Sequence, residues 1–248
     1  MSAAQEKPKN IWFRYHFIRP DADPIIIEIE LDGETLDLVK PKVTDIPDWT
    51  TFERLPCPQC GDCAAGGHCP IAVNLSYVVK KFDGVWSYDE LDVLLETEER
   101  SYANHTTAQR GLGSLLGIIM TTSGCEPMNF LKPMTRFHLP FSTLDETIYR
   151  VAGMYLLGQH FRRKQGLEPD WTMAKLSEKY AKVDAVNANI VKRLQSATDV
   201  DSSMNAVIVL DSFAKMLPFS LLDELQNMEY LFKTYLNEGD IITTPGEE

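Results

Sequence analysis

The chain reads as an α+β protein, in which a small antiparallel sheet with a metal-stapled cysteine loop precedes an all-helical C-terminal bundle. Three observations predict this. Two β-branched and aromatic runs stand near the start, four cysteines crowd into one short loop, and apolar residues take up helical spacing from Thr106 onward. Residues 1–104 form the expected sheet-rich part with its Cys/His loop at 55–70, residues 105–237 the helical part, and 238–248 an acidic tail expected to be disordered.

The elements follow in order. Residues 11–18 (IWFRYHFI) and 25–31 (IIIEIEL) read as strands joined by the turn chemistry of Arg19-Pro-Asp-Ala-Asp-Pro24. Glu28 and Glu30 alternate with Ile27, Ile29 and Leu31, which predicts one wet and one packed face. After Asp32-Gly33 a third short strand is expected at Thr35–Val39. Beyond the cysteine loop, the apolar positions 71, 75, 78, 79 and 82 predict a helix that Pro70 suits as a first-turn residue. Trp86–Tyr102 alternates Leu91, Val93 and Leu95 with acidic residues and reads as a further strand. A helix is expected from near Thr106 to Gly124, and Thr143-x-x-Glu146 has the form of a capping box for a second that runs to Arg162-Arg163-Lys164. A third follows Asp170, with a seam of Leu176, Tyr180, Val183, Asn187, Ile190 and Leu194. The fourth spans about 203–217, and the fifth starts after Ser220.

Composition limits the function classes. An apolar fraction of 44% and a charged fraction of 24% are ordinary for a globular protein. A net charge of -12 argues against general nucleic-acid binding, which needs a basic footprint. No apolar run approaches a membrane span, and no secretory leader is seen, so a reducing cytoplasm is expected and disulfides are disfavoured. Cations prevail over residues 101–198 and acids over 199–248, an asymmetry that suits pairing within the chain or between subunits.

The strongest motif is Cys57-Pro-Gln-Cys60-Gly-Asp-Cys63-Ala-Ala-Gly-Gly-His68-Cys69-Pro70. Thiolates at Cys-x2-Cys spacing wrap a soft cation, and a closed structural zinc site is the preferred reading. Cys57, Cys60 and Cys69 are its first ligands, with Cys63 or His68 as the fourth. An iron–sulfur cluster is the less favoured alternative, because the gap before the last cysteine is too long for the ferredoxin run and a second cysteine set is missing. Free thiols in a loop are the bland alternative. No general base stands near, which argues against catalytic zinc.

A second constellation surrounds the predicted helix at 106–124. His105, Thr106 and Arg110 stand at its start, Cys125 at its end, and Arg136 and His138 beyond it. A helix N-terminus with Arg110 one turn in offers an anion site, and His105, Cys125 and His138 are acid, nucleophile or ligand candidates if folded together. A buried polar network is the bland reading. Gly111, Gly113 and Gly117 within that helix suggest a close backbone approach. Asn187 in an apolar seam suits either packing in the bundle or pairing with a second copy. Asp145-Glu146 and Asp223-Glu224 read as caps at helix starts. No Walker loop, GxGxxG, HExxH or GxSxG occurs.

The order of these segments, Cys-x2-Cys then His-Cys-Pro, His105-Thr-Thr-Ala-Gln-Arg110, Ser123-Gly-Cys125, Arg136-Phe-His-Leu-Pro-Phe141 and Asp201-Ser-Ser-Met-Asn-Ala206, resembles an uncharacterised family of bacterial proteins over nearly the whole chain. The resemblance implies a bacterial cytoplasmic protein and carries over no activity. It also implies that Cys57, Cys60, His68 and Cys69 are the shared positions, which favours His68 over Cys63 as fourth ligand. The expected function is that of a zinc-stabilised, non-enzymatic interaction or scaffold protein, associating with itself or a protein partner through its helices. An enzyme or small-anion sensor built on the His105–His138 region is the alternative, and an iron–sulfur redox protein the second alternative.

Overall fold

The computed structural model describes residues 8–39, 45–60, 67–197 and 201–237. Cys63 and the acidic tail at 238–248 lie outside the described residues. The architecture is α+β: a four-stranded antiparallel sheet of order β2-β1-β3-β4, with helices against one face.

β1 (Ile11–Ile18) and β2 (Ile25–Leu31) form as their alternation predicts, with Phe13, Tyr15, Phe17, Ile27, Ile29 and Leu31 buried. The opposite face is wet and is crossed by Arg14–Glu28 and His16–Glu96 pairs. Thr35–Val39 is not a strand. The chain turns at 33–35, Leu36 takes a positive φ, and an isolated bridge pairs Leu38 with Leu31.

The expected strand over Trp86–Tyr102 is a hairpin instead, β3 (Glu90–Thr97) and β4 (Ser101–Thr107), paired in register from Glu90–Thr107 to Glu96–Ser101. The turn between them is closed by the Thr97 amide donating to the Arg100 carbonyl. β4 carries little apolar residue on either face, so alternation gave no sign of it.

α1 (Pro70–Lys81) starts with Cys69 as its N-cap and Pro70 in its first turn. α2 (Ala108–Thr122) presses on the sheet so closely that a Cβ at Gly111 would lie 2.8 Å from Val93 Cγ2 and 3.2 Å from Phe17 Cε1. The glycine there is a packing requirement. A 3-10 turn at Glu126–Leu131 and α3 (Lys132–Arg136) follow, and then α4 (Leu144–Lys164) with the full Thr143–Glu146 capping box.

α5 (Ala174–Gln195) packs along α6 (Asp201–Asn227) and buries Leu176, Tyr180, Val183, Ile190 and Leu194 as the seam predicts. Asn187 is buried with them inside the chain, its Oδ1 without a hydrogen-bond partner. The expected fourth and fifth helices are one. α6 continues through residue 218 as a single 27-residue helix, so Asp223-Glu224 stands in its last turns and caps no start. An interior Pro costs a helix about 3 kcal/mol. α6 packs against both α2 and α5. Glu229–Phe232 is a 3-10 turn, and α7 (Lys233–Asn237) ends the described chain.

One cluster of buried side chains runs from Phe13 through Leu75, Leu115 and Ile190 to Met228. Among the described residues no helix is long and apolar enough to cross a membrane.

Candidate functional site

The cysteine loop is organised from two sides. Its ends pair with each other: the Phe52 amide donates to the Gly67 carbonyl, the Cys69 amide to Thr50, and Thr51 bridges to His68. From below comes Arg193 of α5, whose side chain is 0% exposed. Its guanidinium donates to the carbonyls of Trp49 and Thr51 at 3.0 and 2.7 Å, to that of Leu55, and to Asn189 Oδ1 at 3.0 Å. Asn189 in turn donates to the Pro56 carbonyl, beside Cys57. All these partners are neutral. A planar fork of five N–H groups matches several carbonyls at once in a way that an ammonium does not.

A metal-stapled loop is not shown. Among the described residues no three His, Cys, Asp or Glu side chains form a group ready to hold a metal ion. The Arg193 bonds hold the segment at 49–55 that leads into the loop.

Cys57, Cys69 and Cys125, the last just after the end of α2, are each buried in the core, and the half-buried Cys60 packs against it. Asn74 in α1 donates to Ser123 at 2.9 Å and so ties the helix that starts at Cys69 to the turn that carries Cys125. Burial pushes the Cys125 thiol up to about 12, and the charges that Cys69 and Cys57 would carry push it the same way. Burial raises Cys69 as well, while backbone amides at the start of α1 and the Arg193 charge oppose the rise. Three sulfurs from three chain segments thus lie within electrostatic reach. Sequence reasoning placed Cys125 with the histidines, because no local spacing links it to the loop.

His68 is exposed, and its Nδ1 is 2.7 Å from Thr50 Oγ1. The Thr50 hydroxyl spends its proton on the Pro47 carbonyl, so the ring donates from Nδ1 and leaves Nε2 as the lone-pair nitrogen.

The second constellation is dispersed. His105 stands exposed on β4, 2.8 Å from Asp92, and that carboxylate's hydrogen bond raises its pKa. Thr106 belongs to β4, and Arg110 is exposed on α2. The expected anion site at the start of that helix is closed, because the Ala108 and Gln109 amides already donate to the carbonyls of Asp89 and Ser87.

Only Arg136 and His138 meet, at a cavity of about 490 Å3 that Lys9, Arg100, Arg150, Glu98 and Glu99 also line. His138 lies 2.7 Å from the Tyr15 hydroxyl and 3.3 Å from Ser114 Oγ, edge-on to Phe13. Burial, helped by the nearby Arg150 charge, pushes its pKa down to about 3. It is therefore a neutral ring locked in a network. Arg150 reaches over to the carbonyls of Met134 and Phe137, so part of the basic lining is committed to holding the turn after α3.

Comparison with known families settles the relationship that the segment order suggested. The sequence matches the family described as Domain of unknown function (DUF6901) over residues 11–233. The chain belongs to that family. The matched range takes in the sheet, the cysteine loop and the helices from α1 to α6. No curated protein and no solved structure matches the chain.

Proposed function

We propose that this member of the family is a non-enzymatic scaffold that associates with a second copy of itself through α4, its cysteine loop held by a structural zinc in a reducing bacterial cytoplasm. The observation that carries the reading is the outer face of α4. Tyr149, Leu157 and Phe161 are 54%, 55% and 54% exposed there, although the opposite face buries Ile148, Val151 and Tyr155. Apolar residues at four-residue spacing form the ridges by which helices interlock.

Gly153 lies midway along that stripe, with nothing within 4 Å of where its Cβ would be. Asp145 and Glu146 occupy the first turn, and Arg162, Arg163 and Lys164 the last. Two copies crossing antiparallel at Gly153 bring Tyr149 of one against Leu157 of the other, and each acidic end against a basic end. Tyr149 also stacks on Phe232, which extends the apolar surface to the exposed Tyr230 and Tyr235. The non-enzymatic part is supported by the dispersal of the acid, base and nucleophile candidates.

Light scattering on the native protein tests this. A dimer that Leu157→Glu converts to a folded monomer is expected. A monomeric wild-type protein at tens of micromolar overturns it. Metal analysis of the same sample is expected to give one zinc per chain, and visible colour in protein prepared without oxygen would favour an iron–sulfur cluster instead.

A second reading rests on the cavity beside His138. Lys9, Arg100, Arg136 and Arg150 give it the charge to take a small anion. A rise in melting temperature with inorganic phosphate or a simple carboxylate, lost in Arg136→Ala, would support it. No response to any of them rejects it.

A further inference from the structure

We infer that the cavity beside His138 takes an aromatic carboxylate, with the carboxylate on the Arg136 guanidinium and the ring against Phe137. The inference rests on the anion reading of that cavity and names its ligand class.

The cavity opens at one end of the sheet, where Phe13 of β1 pairs with Thr97 and the β3–β4 turn at 98–100 faces the turn after α3. At about 490 Å3 it has the size of a small-molecule site. A bare phosphate or acetate would leave most of that space to water. Four cationic side chains line it against two carboxylates, Glu98 and Glu99, a local positive excess on a chain of net charge -12.

Two of the four cations are already engaged. Arg100 pairs with Glu99 at 3.2 Å, and Arg150 donates to the carbonyls of Met134 and Phe137. Arg136 and Lys9 form no ion pair among the described residues. The Arg136 guanidinium lies 5.6 Å from the centre of the Phe137 ring, which is 75% exposed.

The backbone beneath these two side chains is pinned on both sides. The Phe137 carbonyl accepts from Arg150 at 2.8 Å, and His138 is tied to the Tyr15 hydroxyl at 2.7 Å. A cation and an exposed ring therefore stand together on a held turn, which spares a ligand the cost of ordering it. A carboxylate accepts two parallel N–H bonds from a guanidinium fork, and an aromatic ring gains from offset or edge contact with another. One molecule that carries both groups meets Arg136 and Phe137 at once. Glu98 and Glu99 across the cavity disfavour ligands with several negative charges.

Calorimetric titration of the full-length protein with benzoate, benzamide, acetate and inorganic phosphate tests this. Benzoate is expected to bind about tenfold more tightly than acetate, the gain of one ring contact. Phe137→Ala is expected to remove that preference and leave acetate binding as it was, and Arg136→Ala to weaken both. Both side chains are exposed, and the melting temperature of each unliganded variant checks that it is folded. If benzoate binds no more tightly than acetate, or Phe137→Ala keeps the full preference, the inference falls while the anion reading stands. If benzamide binds as tightly as benzoate, if Arg136→Ala binds benzoate as the native protein does, or if none of the four probes binds, both fall.

Discussion

Arg193 is fully buried and His138 half-buried, and the fold treats these two nitrogen bases in opposite ways. A buried guanidinium needs hydrogen-bond acceptors round it, and the loop at 49–56 wraps three of its carbonyls round that of Arg193. His138 can give up its proton and does, becoming a neutral partner for Tyr15 and Ser114. The cost of burying charge falls on backbone conformation in the first case and on protonation in the second. An irregular loop can therefore be ordered by one distant side chain, while the contact between the turn after α3 and the sheet uses a neutral ring.

The largest effect that would break this comparison is at Arg193. Arg193→Leu strips the donors from three carbonyls and Asn189, so a loss of about 3 kcal/mol or more in urea unfolding is expected. Arg193→Lys should recover little, since an ammonium lacks the fork. Amide exchange at 50–60 should rise in both. A loss of less than about 1 kcal/mol would show that the loop does not depend on the cation.

His138 gives the next effect. Its pKa is about 3 in the folded chain against an ordinary 6.5, so between those values the unfolded chain binds the extra proton. Stability is fully present above the ordinary value and falls as pH is lowered toward the folded one, by about 1.4 kcal/mol per pH unit and about 2 kcal/mol at pH 5. His138→Gln, which does not titrate, should flatten that part of the profile. An unchanged profile would mean that His138 is not the group responsible.

Smaller still is the effect of α2, which carries Ser114 against His138. Gly111→Ala places a methyl 2.8 Å from Val93, so a net loss of about 1 kcal/mol is expected despite better helix propensity. Gly117→Ala meets nothing within 4 Å and should gain about 0.5 kcal/mol. If lifting α2 also lets water reach His138, the pH slope of Gly111→Ala will be shallower than that of Gly117→Ala, which joins the two effects in one measurement.

The first strands, the start of α1, the capping box of α4 and the seam of α5 were legible because each is a local pattern: alternation, a first-turn Pro, a four-residue box, a 4-3-4 spacing. β4 was not, since its sequence Ser-Tyr-Ala-Asn-His-Thr-Thr has almost no apolar alternation and becomes a strand by pairing with β3. Nor was the continuity of α6, which runs as one helix where two were expected. Of the candidate site, Cys57, Cys60 and Cys69 were legible as a local motif, but the grouping of His105, Arg110 and Cys125 with His138 rested on closeness in sequence. The fold sends those side chains to an exposed strand, an outer helix face and the buried core.

By itself, then, the sequence determined the fold class, the two-faced sheet, most helix positions and the crowding of thiols in one loop, because these depend on side chains a few bonds apart. Tertiary structure alone decided that Arg193 lies under the start of that loop, that Cys125 is buried at the end of α2, and that His138 is a half-buried, neutral ring. Arg193 lies more than 130 residues from the loop carbonyls it holds. No periodicity in a sequence records which distant side chain will meet an unsatisfied carbonyl, since that depends on how the helices stack on the sheet.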